Sequence, residues 1–166
     1  MREMSSLPSK PIHMALAILL VSIVATGTAA GGEAGLLHGQ TLYVPVYSHI
    51  YSGDRERPVY LAVTVSIRNT DPLRAIQVTS VDYYNSEGRR LQRYLETPVT
   101  LPPLATVRYV VKESDKAGGS GANFLVRWQS AEPANPPLVE SIMISTASQL
   151  GISFTSRGVP IVETAP

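Results

Sequence analysis

The chain has 166 residues, of which 44% are hydrophobic and 16% charged, and its formal net charge is +1. This length suits one domain with a substantial core, and the near-neutral charge argues against nucleic-acid binding, which needs clustered cations. The sequence has no cysteine, which excludes disulfides, thiolate nucleophiles, cysteine-ligated zinc and a lipid-modified cysteine anchor.

The N-terminus has the three-part layout of a secretory signal peptide. Arg2 and Lys10 precede an apolar run at residues 14–25, and small residues follow as far as Ala30. This order is typical of signal peptides, and we predict cleavage after Ala30 and a periplasmic or extracellular location. The alternative is an uncleaved membrane anchor, although the apolar run is shorter than the roughly 20 residues that span a bilayer.

The first part of the exported chain is predicted to be a tether followed by a strand. Residues 31–40 are glycine-rich and lack periodicity, which predicts a flexible tether. Residues 41–51 alternate and predict a strand, which Pro45 would place at a sheet edge because proline cannot donate to a ladder. Three tyrosines share one face of this predicted strand: Tyr43, Tyr47 and Tyr51.

The rest of the chain alternates between strand patterns and turn signals. The clearest period of two lies in residues 59–68, and a phase slip at Thr79–Ser80 predicts a bulge. The proline-rich segment 97–106 predicts a crossing from one sheet to another. The further predicted strands are 76–84, 89–95, 107–111, 124–128, 138–144 and a short pairing at 152–154 before a frayed tail.

These patterns predict one all-β domain over residues 41–162. About seven or eight strands at regular spacing, separated by glycine, proline and asparagine turns, are typical of an antiparallel β-sandwich of immunoglobulin-like architecture. A small barrel is the alternative.

The segment Gly118-Gly119-Ser120-Gly121-Ala122 is one residue away from the G-x-S-x-G nucleophile elbow. An elbow needs a buried strand before the serine and a helix after it, whereas here a charged segment precedes and a predicted strand follows. We therefore interpret the glycines as positive-φ positions of a loop entering that strand. Two alternatives remain, an anion-binding nest of backbone amides around Ser120 and Gly121 and a nucleophilic Ser120.

The other polar residues point to no catalytic or metal site. After cleavage the histidines are His38 and His49, and neither has a carboxylate beside it at ligand-like spacing. The carboxylates Glu113 and Asp115 are interpreted as solvated loop charges rather than an acid–base pair. One basic cluster stands out, and it suggests a solvated outer strand or, alternatively, contact with an acidic partner or lipid headgroup: Arg89, Arg90 and Arg93.

Several motifs in order resemble the bacterial domain-of-unknown-function family 3124. They are L-Y-V-P-V-Y-S-H-I-Y at 42–51, V-S-I-R-N-T-D at 65–71, P-L-A-T at 103–106, G-G-S-G-A-N-F at 118–124 and G-I-S-F at 151–154. The resemblance covers nearly all of the exported chain. It implies a bacterial exported protein and supplies no activity, catalytic residue or cofactor.

We therefore expect a non-enzymatic, exported interaction module of the bacterial cell envelope, with no cofactor, that binds another envelope protein by edge or loop contacts. The first alternative is a carbohydrate or cell-wall binding module that stacks sugars on the tyrosine face. The second is a hydrolase that depends on Ser120. The membrane is expected to be reached only through an uncleaved leader.

Overall fold

The protein is described by a computed structural model that covers residues 35–146 and 151–162. The predicted signal peptide and the start of the predicted tether lie outside these residues. The described part is all-β, and it contains no helix with the length and apolar composition needed to cross a membrane. Its strands are β1 Leu37–Pro45, β2 His49–Ser52, β3 Arg57–Tyr60, β4 Ala62–Arg68, β5 Ile76–Tyr84, β6 Arg90–Arg93, β7 Val99–Leu101, β8 Thr106–Val111, β9 Asn123–Ala134, β10 Leu138–Ser145, β11 Ile152–Arg157 and β12 Val159–Ile161.

These strands form two antiparallel layers and a separate hairpin, which together make a sandwich-like fold. The six-stranded sheet has the order β12-β1-β9-β5, with β6 and β7 both pairing with β5. The four-stranded sheet has the order β11-β10-β4-β8, and β2 pairs only with β3. The prediction of an antiparallel all-β fold is confirmed. The described residues form twelve strands rather than seven or eight, because two predicted strands divide and because β7 and β12 were not predicted.

Alternation along the strands places one face of each sheet in a shared core. In β4 the alternate residues Val63, Val65 and Ile67 are buried, as the period of two predicted. In β9 the same alternation buries Phe124, Val126 and Trp128. The core is completed from the other strands by Leu42, Val44, Ile76, Val78, Val81, Tyr83, Leu101, Val111, Val139 and Met143.

The prediction that β1 is an edge strand is wrong, because β1 pairs with β9 on one side and with β12 on the other. Pro45 is the last residue of β1. It lies two residues beyond Tyr43, which pairs with Val159, the first residue of β12. The N–H of Val46 donates to Ala122 O on the β9 side, and backbone donors alternate between the two sides of a strand. The nitrogen of Pro45 therefore faces the side where β12 has not yet begun.

Three other boundaries differ from the sequence-based prediction. β1 begins at Leu37, inside the predicted tether. The predicted strand 59–68 divides at Leu61, whose N–H donates to Ser48 O instead of continuing one ladder. The predicted frayed tail after Phe154 is wrong, because β11 continues to Arg157 and β12 follows it.

Gly158 lets the chain cross from β11 in one sheet to β12 in the other. Its N–H donates to Val139 O at 2.9 Å, and a Cβ at this position would lie 3.1 Å from Val44 Cγ2. The predicted bulge is confirmed, since the β5–β9 register shifts between Val78 and Ser80. The predicted crossing at 97–106 is also confirmed, because β7 and β8 lie in different sheets.

Candidate functional site

The hairpin of β2 and β3 stands apart from both layers of the sandwich. Its strands are joined by residues 53–56, where Gly53 adopts a φ of 68° that glycine accommodates without strain. The N–H of Glu56 donates to Gly53 O at 3.0 Å and closes the turn. Residues 51–58 are all exposed, so the outer half of this hairpin contributes little to the core.

One face of the hairpin carries an aromatic cluster, which consists of His49, Tyr51 and Tyr60. The His49 ring meets Tyr51 edge-on at 5.1 Å between centroids and Tyr60 at 6.0 Å. His49 Nε2 lies 3.2 Å from Tyr51 Oη, within hydrogen-bonding distance. Lys116 Nζ lies 4.3 Å from the centre of the Tyr60 ring, a cation–π contact that joins the cluster to the connection between β8 and β9.

Backbone hydrogen bonds fix the base of the hairpin to the glycine loop, which we define as residues 118–122. The N–H of Ser48 donates to Gly119 O at 3.0 Å, and the N–H of Val46 donates to Ala122 O at 3.0 Å. Ser48 O in turn accepts from the N–H of Leu61 at 3.0 Å. Both ends of the hairpin are therefore fixed, although its tip is exposed.

Ser86 holds the glycine loop from the other side. Gly118 O accepts from the Ser86 N–H at 2.9 Å and from its hydroxyl at 3.1 Å. The Gly121 N–H donates to Ser86 Oγ at 3.0 Å. The amide of Gly121 thus already has an acceptor within the protein, which reduces the number of amides that an external anion could use.

The glycines of this loop serve two different purposes. Gly119 has a φ of 80°, as expected for a positive-φ position. Gly118 is buried, and a side chain there would collide with the hydroxyl of Tyr83 and approach Ser48 Oγ to 2.5 Å. Those two hydroxyls form a buried hydrogen bond of 3.0 Å. Close packing therefore requires glycine at position 118, a requirement that the sequence alone did not reveal.

Two tyrosines behind the glycine loop have raised pKa values, which disfavours their ionisation. Burial raises the pKa of Tyr83, the hydrogen bond from Ser48 opposes this shift, and the charge of Asp115 adds to it. Burial, reinforced by Tyr83 and Asp115, raises the pKa of Tyr94 to about 12. Tyr83 and Tyr94 both pack against Phe124, at 4.9 and 5.4 Å between ring centroids. These phenols therefore stay neutral; the Tyr83 ring is part of the core, and the partly buried Tyr94 ring packs against it.

The structure places Ser120 and Gly121 at the same end of the sandwich as Tyr51, because the loop is bonded to the base of the hairpin. Ser120 is half-buried, and the strand β9 begins at Asn123, only three residues later. This local geometry differs from the strand–serine–helix arrangement of a nucleophile elbow.

The predicted tyrosine face on a single strand is wrong, because β1 ends at Pro45 and β2 pairs in a different sheet. Tyr43 lies on the outer face of the six-stranded sheet, since its neighbours Leu42 and Val44 face the core. Tyr47 packs edge-on against Phe154 at 5.8 Å between centroids. Tyr51 alone belongs to the hairpin, where it is 54% exposed.

Sequence reasoning missed Tyr60, which contacts His49, and Lys116, which contacts Tyr60. Tyr60 joins the cluster because β2 pairs with β3. Lys116 reaches Tyr60 from the segment before the glycine loop, a contact that no local pattern records. Among residues 35–146 and 151–162, no group of three or more histidine or acidic side chains could hold a metal ion. His38 lies apart in β1, with Nδ1 3.3 Å from Ser130 O.

Comparison with known proteins identifies a family without an assigned role. A family model described as "Protein of unknown function (DUF3124)" matches residues 39–161, which confirms the resemblance seen in the sequence. No curated protein matches the chain. Among solved structures, the chain is similar to the crystal structure of Thermotoga maritima 1070, with 8% identity over 72% of this chain and 92% of that chain and a TM-score of 0.44, a likeness too weak to support any argument.

Proposed function

The chain belongs to the DUF3124 family of proteins of unknown function, and from this premise we propose a non-enzymatic, exported binding module of the bacterial cell envelope. In this proposal residues 1–30 act as a signal peptide, and the mature protein works in the periplasm or outside the cell. Its two sheets act as an immunoglobulin-like scaffold that presents binding residues on connections at one end. The partner is another envelope protein.

The observation that carries this proposal is the hairpin, which is fixed at its base and exposed at its tip. A two-stranded hairpin is only marginally stable in isolation, yet here hydrogen bonds to the glycine loop and to Leu61 hold it in place. Binding by a segment that is already ordered loses little conformational entropy. Tyrosine is enriched at protein interfaces because its ring is apolar and its hydroxyl is polar, and Tyr51 presents both.

Backbone pairing offers a second mode of contact at the same place. In the described structure β2 and β3 pair with each other, and neither pairs with a third strand. A partner segment could therefore add as a strand along either outer edge of the hairpin, with Tyr51 supplying side-chain specificity.

A photoactivatable crosslinking residue at position 51 tests the proposal in the cells that export the protein. Position 73 is the matched control, because Leu73 is 79% exposed but follows β4 at the end of the strand remote from the hairpin. We expect a discrete crosslinked envelope protein from position 51 and none from position 73. The same products from both positions, or no product from position 51, would contradict the proposal.

The substitution Tyr51→Ala separates binding from folding. Because Tyr51 is exposed, the change should alter the free energy of unfolding by no more than about 0.5 kcal/mol, while the amount of co-purified partner should fall strongly. Leu73→Ala should change neither quantity. An unchanged partner yield with Tyr51→Ala would remove the ring from the interface.

A carbohydrate or cell-wall ligand is the second candidate, favoured by the adjoining rings of His49, Tyr51 and Tyr60. Aromatic faces of this kind stack on sugar rings. A pull-down with isolated cell-wall glycan should retain the wild-type protein and lose Tyr51→Ala, and the triple alanine variant at 43, 47 and 51 should behave like the single one. Retention of the triple variant would exclude the tyrosines, and no retention of the wild type would exclude this class of ligand.

A further inference from the structure

A buried carboxylate lies on the outer face of the six-stranded sheet, away from the hairpin cluster. Asp82 lies between Val81 and Tyr83, whose side chains face the core, so its own side chain faces outward. It is nevertheless only 3% exposed, because neighbouring side chains cover it. A buried charge of this kind is costly unless it is paired.

Three arginines from two flanking strands surround Asp82. Arg93 donates from Nε to Asp82 Oδ1 at 3.4 Å, and Arg90 NH1 lies 3.9 Å from the same oxygen. Arg127 NH1 lies 3.7 Å from Oδ2 and donates to Ser80 Oγ at 3.3 Å. The side chains of the three arginines are 37–52% exposed, so each guanidinium is partly open to solvent.

The carboxylate uses only a fraction of the donors that face it. A guanidinium has five N–H donors in a fixed fork. Arg93 uses its Nε on Asp82, and Arg90 approaches only as an ion pair. Asp82 thus attracts both side chains to the same place, while most donors of Arg90 and Arg93 have no partner in the described structure.

Beyond the arginines, the outer face of the six-stranded sheet carries both polar and apolar side chains. Across the outer face, Asp82 lies opposite Arg93 on one side and Leu125 on the other, and Leu125 lies opposite Tyr43. Arg127 also lines a shallow depression of about 580 Å³ along β1 and β9. A ligand held at the arginines would therefore have room for an attached group beside them.

We propose that Arg90, Arg93 and Arg127, positioned by Asp82, form a binding site for an oxyanion of the phosphate class, supplied either as free phosphate or as a phospholipid headgroup. Several guanidinium groups gathered around one carboxylate suit an anion that has three or four oxygens and more than one charge. The paired carboxylate keeps these side chains near one another before the ligand arrives, which reduces the entropy lost on binding. The site is independent of the hairpin contact.

The test uses the exported protein purified from its own cells, with two probes. Titration with inorganic phosphate measures the free anion by calorimetry, and co-flotation with phosphatidylcholine vesicles containing phosphatidylglycerol measures the headgroup. The double variant R90A/R93A should weaken binding of the active probe by about tenfold or more. The control R108A removes an arginine from β8 in the other sheet and should leave binding within about twofold.

The two probes separate the sources of the anion. Binding of phosphate assigns a free ligand, and binding of vesicles alone assigns a headgroup. The proposal is overturned if the protein binds neither probe. It is also overturned if R90A/R93A and R108A lose the same amount of binding. The variant R90K/R93K retains the charges without the forks and covers the case in which the alanine variant does not fold; wild-type affinity in R90K/R93K would overturn the guanidinium site.

Discussion

Gly118 is the residue that brings three separate segments together at the hairpin end of the molecule. Its carbonyl accepts two hydrogen bonds from Ser86, and its Cα lies against the buried pair of hydroxyls on Ser48 and Tyr83. Any larger side chain would have to displace that pair. Position 118 therefore couples the glycine loop to both the core and the base of the hairpin.

We expect Gly118→Ala to lower the free energy of unfolding by roughly 1 to 3 kcal/mol, as overpacking of a close contact does. Gly121→Ala is the matched control in the same loop, because a Cβ there would lie 3.3 Å from Ser86 Oγ, and its cost should be below about 1 kcal/mol. Urea unfolding of both variants measures the difference. Equal stability of the two variants would show that the contact at position 118 is not restrictive.

Asp71 is a buried carboxylate that organises the opposite end of the sandwich. The backbone N–H of Asn135 donates to Oδ2 at 2.9 Å, and those of Leu73 and Arg74 donate to Oδ1 at 2.9 Å. These bonds, led by the one from Asn135 and assisted by the charge of Arg74, lower the pKa of Asp71 from 3.8 to about 2, against the effect of burial. The charged form therefore stabilises the folded state.

This shift predicts a loss of stability in acid. A carboxylate whose pKa is lower in the folded state contributes its full stabilisation above the unfolded pKa and loses it as the pH falls through the folded pKa. The contribution of Asp71 should therefore be complete above about pH 4 and decline toward pH 2. Asp71→Asn should be less stable than wild type at pH 7 and show a flatter decline over that interval, measured by urea unfolding, whereas exposed Glu113→Gln should follow the wild-type curve.

The strand β9 is the central element of the six-stranded sheet, since it pairs with β1 on one side and β5 on the other. Its inward residues alternate as the sequence predicted, and Trp128 is 2% exposed. The indole nitrogen of Trp128 is buried and has no hydrogen-bond partner within the described residues. The ring therefore contributes to the core chiefly through its apolar area.

Two substitutions at this position should differ widely in cost. Trp128→Ala should reduce stability by roughly 3 to 5 kcal/mol because it leaves a large cavity. Trp128→Phe keeps an aromatic ring and removes a buried donor that lacks a partner, so its cost should be below about 1.5 kcal/mol. Thermal and urea unfolding measure both. A small cost for the alanine variant would mean that the ring is not a core residue in solution.

The hairpin is an element whose strand boundaries and pairing differ from those that the sequence predicted. The alternation through residues 41–51 and 59–68 favoured two long strands. In the structure each divides, after Pro45 and at Leu61, and the detached halves pair with each other as β2 and β3. Both divisions are held by hydrogen bonds between distant segments, Ser48 with Gly119 and Leu61 with Ser48. A period of two specifies which side chains face inward, but it does not specify the partner strand.

For the molecule as a whole, the central expectation outside the described residues is export. We predict that the mature chain begins at Gly31, because a charged segment, an apolar run and small residues in this order are typical of a signal peptide. Without residues 1–30 the chain has 12 basic and 12 acidic residues, so the mature protein should be formally neutral. Intact-mass measurement of the exported protein tests this, and a mass that still includes Met1 to Ala30 would contradict cleavage.

The amino-acid sequence determined the fold class, the inward residues of the main strands, the bulge in β5 and the crossing before β8, and it identified the family. Each of these follows from local alternation, turn residues or motifs in order, which short stretches of chain record directly. Only the tertiary structure decided that β1 is an interior strand and that Tyr43, Tyr47 and Tyr51 lie in three different environments. It also showed that position 118 has no room for a side chain larger than that of glycine.

The structure also decided which charged and aromatic residues meet. The sequence offered a basic cluster of Arg89, Arg90 and Arg93 and a tyrosine face of Tyr43, Tyr47 and Tyr51. It could not place Asp82 beside the arginines or Lys116 beside Tyr60. Asp82 meets Arg90 and Arg93 through the pairing of β5 with β6, and Lys116 reaches Tyr60 from the segment between β8 and β9. Which strands pair is fixed by the total burial and hydrogen bonding of the folded molecule, a collective quantity that no single segment carries.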